Sequence, residues 1–251
     1  MVVPFVGADV SPVQLRGEPG GVLLLCDHAS AAVPPGVDLG VAPDLMARHI
    51  AVDIGAEPLT RALSAALHAP AVLGHVSRLV IDLHRPPDHP HLVPVESDGH
   101  VIAGNRGADV AGRLRTLHRP YHRAVAQAVR EWRPTLIVAI HSFTRELETV
   151  PGVRPWHVGI LYNRDARAAR VMLELLRQAD IPAGDNQPYS GRTLNTTLNR
   201  HGEANGIPSV SIEVRNDLIA EPEGVARWAA LLGPMIVAIR NRLVENERSA
   251  Q

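Results

Sequence analysis

Short apolar runs alternate along this chain with longer stretches in which apolar side chains recur every three or four residues. The short runs are typical of strands buried in a sheet, and the periodic stretches are typical of helices that pack one face against it. The runs predict strands at about 21–26, 71–73, 78–82, 136–140, 156–162 and 209–214. The periodic stretches predict helices at about 43–54, 57–67, 108–132, 164–179, 193–205 and 222–246. This alternation predicts one α/β domain over residues 1–251, with three layers and a mostly parallel (mixed) sheet between helices.

Prolines and glycines indicate where the regular elements break. Pro120 lies inside the helix predicted over 108–132, so we expect a kink or a break there, because proline lacks the N–H that a helix uses. Prolines also mark a long loop over about 85–105, and a loop of that length is often a binding element. Residues 1–20 are rich in proline and glycine and predict an irregular lead-in.

The composition excludes several kinds of chemistry. All 25 basic residues are arginine, which rules out a P-loop lysine, a Schiff-base lysine and a Ser-Lys dyad. The single cysteine, Cys26, rules out an internal disulfide and a Cys-rich zinc site, and we expect it to be a small buried hydrophobe. The net charge of −1 favours neither nucleic acid nor a membrane surface as a partner. No signal-peptide pattern or membrane-spanning apolar run is visible, so we expect a cytoplasmic protein.

Two of the buried strands run directly into histidine. The first leads into Asp27 and His28, and the strand over 136–140 leads into His141. Ligands of open α/β sheets bind outside the carboxyl ends of the strands, so we expect the two imidazoles to hold a metal ion there. A catalytic zinc site needs about three protein ligands. Asp53, an acid on the otherwise apolar face of a predicted helix, is the candidate third ligand, with Asp27 and Asp82 as alternatives.

Other polar residues suggest how such a metal would be used. Glu213 lies within an apolar strand, where a carboxylate is costly unless it is paired or functional, and beside a metal it could act as a general base. A guanidinium group binds a carboxylate through two hydrogen bonds, so one or two nearby arginines could anchor an acidic substrate. The candidates are Arg78, Arg85, Arg192 and Arg215. Asn186, Tyr189 and Ser190 cluster in a segment that, from residue types alone, indicates only a turn.

Six short motifs follow one another between about residues 20 and 220. They are CDHAS at 26–30, RHIAVDIG at 48–55, SRLVID at 77–82, IHSF at 140–143, DNQPYSG at 185–191 and SIEVRNDLI at 211–219. Together they resemble the motifs of the N-formylglutamate amidohydrolase family, which is similar in fold to the zinc carboxypeptidases. The resemblance implies metal-dependent hydrolysis, with Zn²⁺ or another divalent ion, of an acidic N-acyl amino acid such as N-formyl-L-glutamate.

The resemblance also implies roles for individual residues. His28 and His141 resemble the metal-binding histidines of the family, Asp53 falls in its acidic Asp-x-Gly motif, and Glu213 occupies the place of the general base. Residues expected to line the substrate pocket are Arg78, Asn186, Tyr189, Ser190 and Arg215, and Arg85 joins them as a possible carboxylate anchor.

Two positions depart from the expected pattern. Ala31 stands where carboxypeptidases supply a glutamate ligand. His84 stands where asparagine is expected before Arg85, and this change would suit a different substrate.

Two other functions stay open. One is a metal-independent hydrolase that uses Ser30 or Ser142, although neither lies in a G-x-S-x-G elbow. The other is a small-ligand-binding protein on the same scaffold without turnover.

Overall fold

The computed structural model describes residues 9–249, and most of the strands in this range form one mixed sheet. The strands are β1 (Val13–Leu15), β2 (Val22–Cys26), β3 (Ala71–Leu73), β4 (Glu96–Ser97), β5 (His100–Val101), β6 (Leu136–Phe143), β7 (Val158–Leu161), β8 (Ala183–Asp185) and β9 (Ser209–Arg215). Seven of them form the sheet in the order β1-β3-β2-β6-β9-β7-β8, and β4 and β5 form a separate hairpin. Strands β3, β2, β6 and β9 are parallel, whereas β1 and the β7–β8 pair run the other way.

Helices cover both faces of the sheet. They are α1 (Ala56–Leu67), α2 (Val110–Arg113), α3 (Arg119–Trp132), α4 (Arg167–Gln178), α5 (Thr196–His201) and α6 (Pro222–Ser249). Helices α1, α4 and α6 pack on one face, and α3 and α5 pack on the other. This arrangement confirms the predicted three-layer α/β fold. None of the helices in the described range is long and apolar enough to span a membrane.

The central strands are buried on both faces because their side chains alternate between two apolar layers. In β2, Leu24 and Cys26 face the layer of α1 and α6, whereas Leu23 and Leu25 face the layer of α3. Cys26 is thus a buried, free thiol, as expected. The sequence shows these strands as continuous apolar runs for the same reason.

The register between β6 and β9 brings two polar residues together. His141 lies opposite Glu213 in this parallel pair, and the ladder continues to Phe143 opposite Arg215. Strand β6 is therefore longer than the predicted run over 136–140, and His141 lies inside it rather than after it. Alternation places both side chains on the face that α3 and α5 cover, near the carboxyl ends of the strands.

Two predicted elements are wrong. In place of a helix over 43–54, the chain forms one 3-10 turn, Pro43–Ala47, and then irregular turns up to Asp53. Backbone groups in this segment bond to distant partners, since the Asp53 N–H donates to the His28 carbonyl. The apolar run over 78–82 forms turns instead of a strand. The run is apolar because it is buried against the sheet, and hydrophobic periodicity alone does not distinguish a buried strand from buried turns.

The other irregular regions follow the proline pattern in part. The stretch over 108–132 divides into α2, a π-helical turn at Leu114–His118, and α3, with Pro120 in the first turn of α3. The backbone keeps helical dihedral angles through both junctions, so the helix widens into a π-helical turn before Pro120 and does not break there. The loop over 85–105 contains the β4–β5 hairpin. The predicted irregular lead-in contains β1, and its residues 1–8 lie outside the described range.

Candidate active site

A cavity of about 360 Å³ opens at the carboxyl ends of β2, β6 and β9. Ten residues are predicted to act as metal ligand, general base or substrate contact, and seven of them line it: His28, Asp53, Arg78, Arg85, His141, Tyr189 and Glu213. The parallel strands account for His28, His141 and Glu213, because His28 follows the end of β2 and the other two lie near the carboxyl ends of β6 and β9. Asp53 and Arg78 reach the cavity from the irregular segments that follow β2 and β3.

Three potential ligand atoms converge at the floor of this cavity. Asp53 Oδ2 lies 2.8 Å from His141 Nδ1 and 3.4 Å from His28 Nδ1. The three side chains are buried and could hold a metal ion between them. Ligand atoms bound tetrahedrally to zinc at about 2.0–2.1 Å lie roughly 3.3 Å apart, so the observed spacing fits such an ion after small shifts.

The opposite ring nitrogens of both histidines face carboxylates. His28 Nε2 lies 2.7 Å from Asp82 Oδ1, and His141 Nε2 lies 3.1 Å from Asp27 Oδ2. Metal-binding histidines usually donate their second N–H to a carboxylate, which fixes the tautomer and orients the ring. Asp82 and Asp27, the two alternative ligands, thus lie where they would orient the histidines, which leaves Asp53 as the carboxylate between the rings.

Asp27 also belongs to a second group of possible ligands. His84 Nδ1 and His141 Nε2 each lie 3.1 Å from Asp27 Oδ2, so a metal could also fit among these three residues. Asp27 has no exposed surface, does not line the cavity, and accepts a further hydrogen bond of 2.7 Å from the Thr197 hydroxyl. Of this second group only His84 and His141 line the cavity, whereas all three members of the first group line it.

Arg78 connects the carboxylates of the first group. Its Nη1 lies 3.1 Å from Asp53 Oδ1, and its Nη2 lies 3.0 Å from Asp82 Oδ2. Burial alone would lower the pKa of Arg78, but the two carboxylates raise it above its ordinary value. Burial alone would likewise raise the pKa of Asp53, but His28, His141 and Arg78 hold it well below its usual range. The carboxylates are therefore ionised and able to bind a cation.

Glu213 differs from the other acids of the site because it has no partner. It is 8% exposed, and no hydrogen bond or ion pair within residues 9–249 involves its carboxylate. Burial raises its pKa above the usual value, although the nearby His141 acts in the opposite direction. A buried carboxyl group that faces a cavity and has a raised pKa is a candidate for general acid–base catalysis.

Arg85 and Tyr189 also line the cavity. Arg85 Nε is 3.6 Å from Asp82 Oδ2, and its Nη1 is 3.4 Å from His89 Nε2, so its guanidinium group makes only long contacts. The Tyr189 hydroxyl is 3.1 Å from Arg154 Nη1. Arg85 thus keeps donors available for a ligand, whereas the donors of Arg78 are engaged by carboxylates.

The remaining three predicted site residues do not line the cavity. Asn186 Oδ1 accepts hydrogen bonds from the backbone N–H groups of Tyr162 and Gly191, which is the turn role that its residue type suggests. The Ser190 hydroxyl accepts a bond from Arg192 N, and Arg215 pairs with Asp217 at 2.7 Å. These contacts shape the loop around Tyr189 and the end of β9, so the three residues affect the site only indirectly.

The structure also adds residues that the sequence did not assign. His84 lies in the cavity wall, with Nε2 3.2 Å from the Leu194 carbonyl, and its only signal was its departure from the expected asparagine. Thr197 has no sequence signal, because it contacts Asp27 across 170 positions.

The serine alternative gains no support from the hydrogen bonds. The Ser142 hydroxyl donates to the Ile54 carbonyl at 2.8 Å, and the Ser30 hydroxyl accepts from Ala32 N at 3.0 Å. Within the described range, neither serine is hydrogen-bonded to a histidine that could act as its base.

Comparison with known proteins identifies the family. The crystal structure of a gene product from Agrobacterium tumefaciens is 33% identical to the chain, with a TM-score of 0.88 over 94% of this chain and 96% of that one. The N-formylglutamate amidohydrolase from Ralstonia eutropha JMP134 is 17% identical and shares the fold, with a TM-score of 0.68 over 95% of this chain and 100% of that one. A search of curated proteins gave no match. The family model for N-formylglutamate amidohydrolase matches residues 20–220, and the chain therefore belongs to this family of amidohydrolases.

Proposed function

We propose that the protein is a metal-dependent amidohydrolase that cleaves an acidic N-acyl amino acid, such as N-formyl-L-glutamate, to the free amino acid and a carboxylate. One observation carries this proposal: the unpaired carboxylate of Glu213 lines the same cavity as the converging ligand atoms of His28, Asp53 and His141. A buried carboxylate without a partner is destabilising, so its place beside a candidate metal site favours a catalytic role.

His28, Asp53 and His141 would hold the metal, and Asp82 and Asp27 would orient the two histidines. Zn²⁺, or another divalent cation, would supply a Lewis acid that polarises the acyl carbonyl and makes water more acidic. Arg78 would keep the carboxylates of Asp53 and Asp82 ionised and would fix their orientation through its two ion pairs.

Glu213 would move the proton. Its carboxylate takes a proton from the attacking water while the water oxygen bonds to the acyl carbon, and it then gives this proton to the departing nitrogen as the C–N bond breaks. Burial raises the pKa of Glu213, which brings both steps closer to neutral pH. Arg85 would bind the carboxylate of the substrate, because its donors are less engaged than those of Arg78.

The experiment measures metal content and turnover together. Wild type, His141→Ala and Glu213→Gln are stripped with a chelator, reloaded with Zn²⁺, and assayed for glutamate released from N-formyl-L-glutamate. We expect about one zinc per chain in wild type and in Glu213→Gln, but none in His141→Ala. We expect Glu213→Gln to lose at least about 100-fold in kcat, since general base catalysis contributes roughly 10²–10⁴-fold.

Two matched substitutions serve as controls. Glu18→Gln changes an exposed glutamate, and His75→Ala changes a histidine outside the cavity, so both should keep metal and rate. Zinc binding by His141→Ala equal to that of wild type would contradict the metal site. Undiminished turnover by Glu213→Gln would contradict the base. Thermal stabilisation by the substrate without any product would instead favour a binding protein on this scaffold.

A further inference from the structure

Arg154 lies beside the candidate site, and the proposed reaction does not use it. It belongs to the segment between β6 and β7, where its guanidinium carbon lies 5.0 Å from the centre of the Tyr189 ring and 5.9 Å from that of Phe143. Its Nη1 lies 3.0 Å from the Thr144 carbonyl oxygen and 3.1 Å from the Tyr189 hydroxyl. Two aromatic contacts and two hydrogen bonds thus fix one partly buried guanidinium group against Tyr189.

The chemistry of arginine decides the polarity of the bond to Tyr189. A guanidinium group only donates hydrogen bonds, so the Tyr189 oxygen must accept this one. The hydroxyl proton of Tyr189 then points elsewhere, and no acceptor in the described part of the chain takes it. Tyr189 therefore faces the cavity with an unused hydrogen-bond donor.

The surroundings of Tyr189 keep this donor protonated. Burial raises the pKa of the phenol, and the negative charge of Glu213 raises it further, whereas Arg154 and Arg78 act in the opposite direction. Tyr189 and Glu213 both line the cavity in which the amide would react.

We propose that Arg154 is a positioning residue that directs the Tyr189 hydroxyl towards the carbonyl oxygen of the substrate amide. This inference rests on the proposed hydrolase function. As the water oxygen bonds to the acyl carbon, the electrons of the carbonyl double bond move to the oxygen. Tyr189 donates a hydrogen bond to this developing charge and keeps its own proton, and the proton of the water passes to Glu213. A donor of this kind stabilises the transition state more than the bound substrate.

A double-mutant cycle tests the pair with the zinc-loaded protein and N-formyl-L-glutamate. We expect Tyr189→Phe to lose about 100-fold in kcat with little change in KM, as is typical for one oxyanion donor. Arg154→Met should lose about tenfold in kcat in the wild-type background and less than about twofold in the Tyr189→Phe background, because the two residues act through one hydroxyl. Arg154→Lys, which keeps a donor, should recover part of the rate.

The controls separate this inference from the proposed function. Arg130→Met changes an exposed arginine on α3 and should leave kcat unchanged, and zinc content and Tm show whether each variant is folded. If wild type binds zinc but hydrolyses no N-acyl amino acid, the proposed function fails and the role of Tyr189 fails with it. If wild type turns over but Tyr189→Phe only raises KM, or if the two substitutions act independently, the proposed function stands and this inference alone is overturned.

Discussion

Acidification should destabilise this protein through two histidines buried behind the candidate site. His122 on α3 and His201 on α5 stack with ring centres 5.3 Å apart, and His122 Nδ1 lies 3.0 Å from His201 Nε2. His122 Nε2 lies 3.0 Å from the Leu83 carbonyl, which can only accept, so His122 donates there and His201 donates to His122. Burial lowers the pKa of His122 to about 3 and that of His201 to about 4.

The size of the effect follows from these pKa values. An unfolded histidine has a pKa of about 6.5, so the unfolded chain binds protons first as the pH falls. Stability is therefore unaffected well above pH 6.5 and decreases below it, until the folded histidines also protonate near pH 4 and 3. At pH 5, about 1.5 units below the unfolded pKa, each histidine lowers the free energy of unfolding by about 2 kcal/mol, and the pair lowers it by about 4 kcal/mol. This is a large part of a typical stability of about 5–15 kcal/mol.

Other groups titrate in the same range and must be separated from the pair. Burial also lowers the pKa of His118, so this residue adds to the loss. Neighbouring carboxylates raise the pKa values of His28 and His141 despite their burial, so in the metal-free protein these two add stability as the pH falls to about 6.5, and their contribution is constant below it. Only a difference between matched variants isolates the contribution of one histidine.

The assay is urea unfolding of the metal-free wild type and His201→Gln at pH 8, 7 and 5. Glutamine can still donate to His122 but does not titrate, so the variant should lose about 2 kcal/mol less than wild type between pH 7 and 5. Between pH 8 and 7, above the window, the difference between the two proteins should stay nearly constant. An equal loss in both proteins between pH 7 and 5 would refute the reasoning.

Two further substitutions test how the site is built and used. Gly55→Ala should lower the free energy of unfolding by more than about 1 kcal/mol, because Gly55 has a φ of +80° and a Cβ there would collide with the Ile219 carbonyl. Since Gly55 is only two residues after Asp53, the substitution should also weaken zinc binding. Urea unfolding and zinc titration measure the two effects. Arg85→Gln should raise KM for N-formyl-L-glutamate about tenfold or more with little change in kcat, since a charged hydrogen bond contributes about 1.5–3 kcal/mol; a changed kcat at constant KM would contradict its role as the anchor.

Much of the fold and the centre of the site could be predicted because they depend on local patterns. The run at Leu136–Ile140 is apolar on every side chain, as a strand buried on both faces requires. Parallel strands bring their carboxyl ends to one edge, so the sequence predicts that His28 and His141 meet, and the structure places both at one cavity.

The rest depends on tertiary contacts that leave little trace in the sequence. The segment before Asp53 looks helical because its apolar residues are buried, yet its backbone bonds to the chain near His28 instead of to itself. The same ambiguity made the turns over 78–82 look like a strand. Arg154 meets Tyr189 across 35 positions through a loop, and no pattern of spacing predicts such a contact.

The charges of the site explain why Glu213 is the most informative residue in it. Asp27, Asp53 and Asp82 are buried, but each is paired with a histidine or an arginine, so the cost of removing their charges from water is offset within the cluster. Glu213 is buried without such a partner, and burial raises its pKa instead. A carboxyl group that only supported the fold would be more stable if it were paired or replaced by an apolar side chain. The position of Glu213 opposite His141 therefore supports the proposed role of proton carrier, which the fold itself does not require.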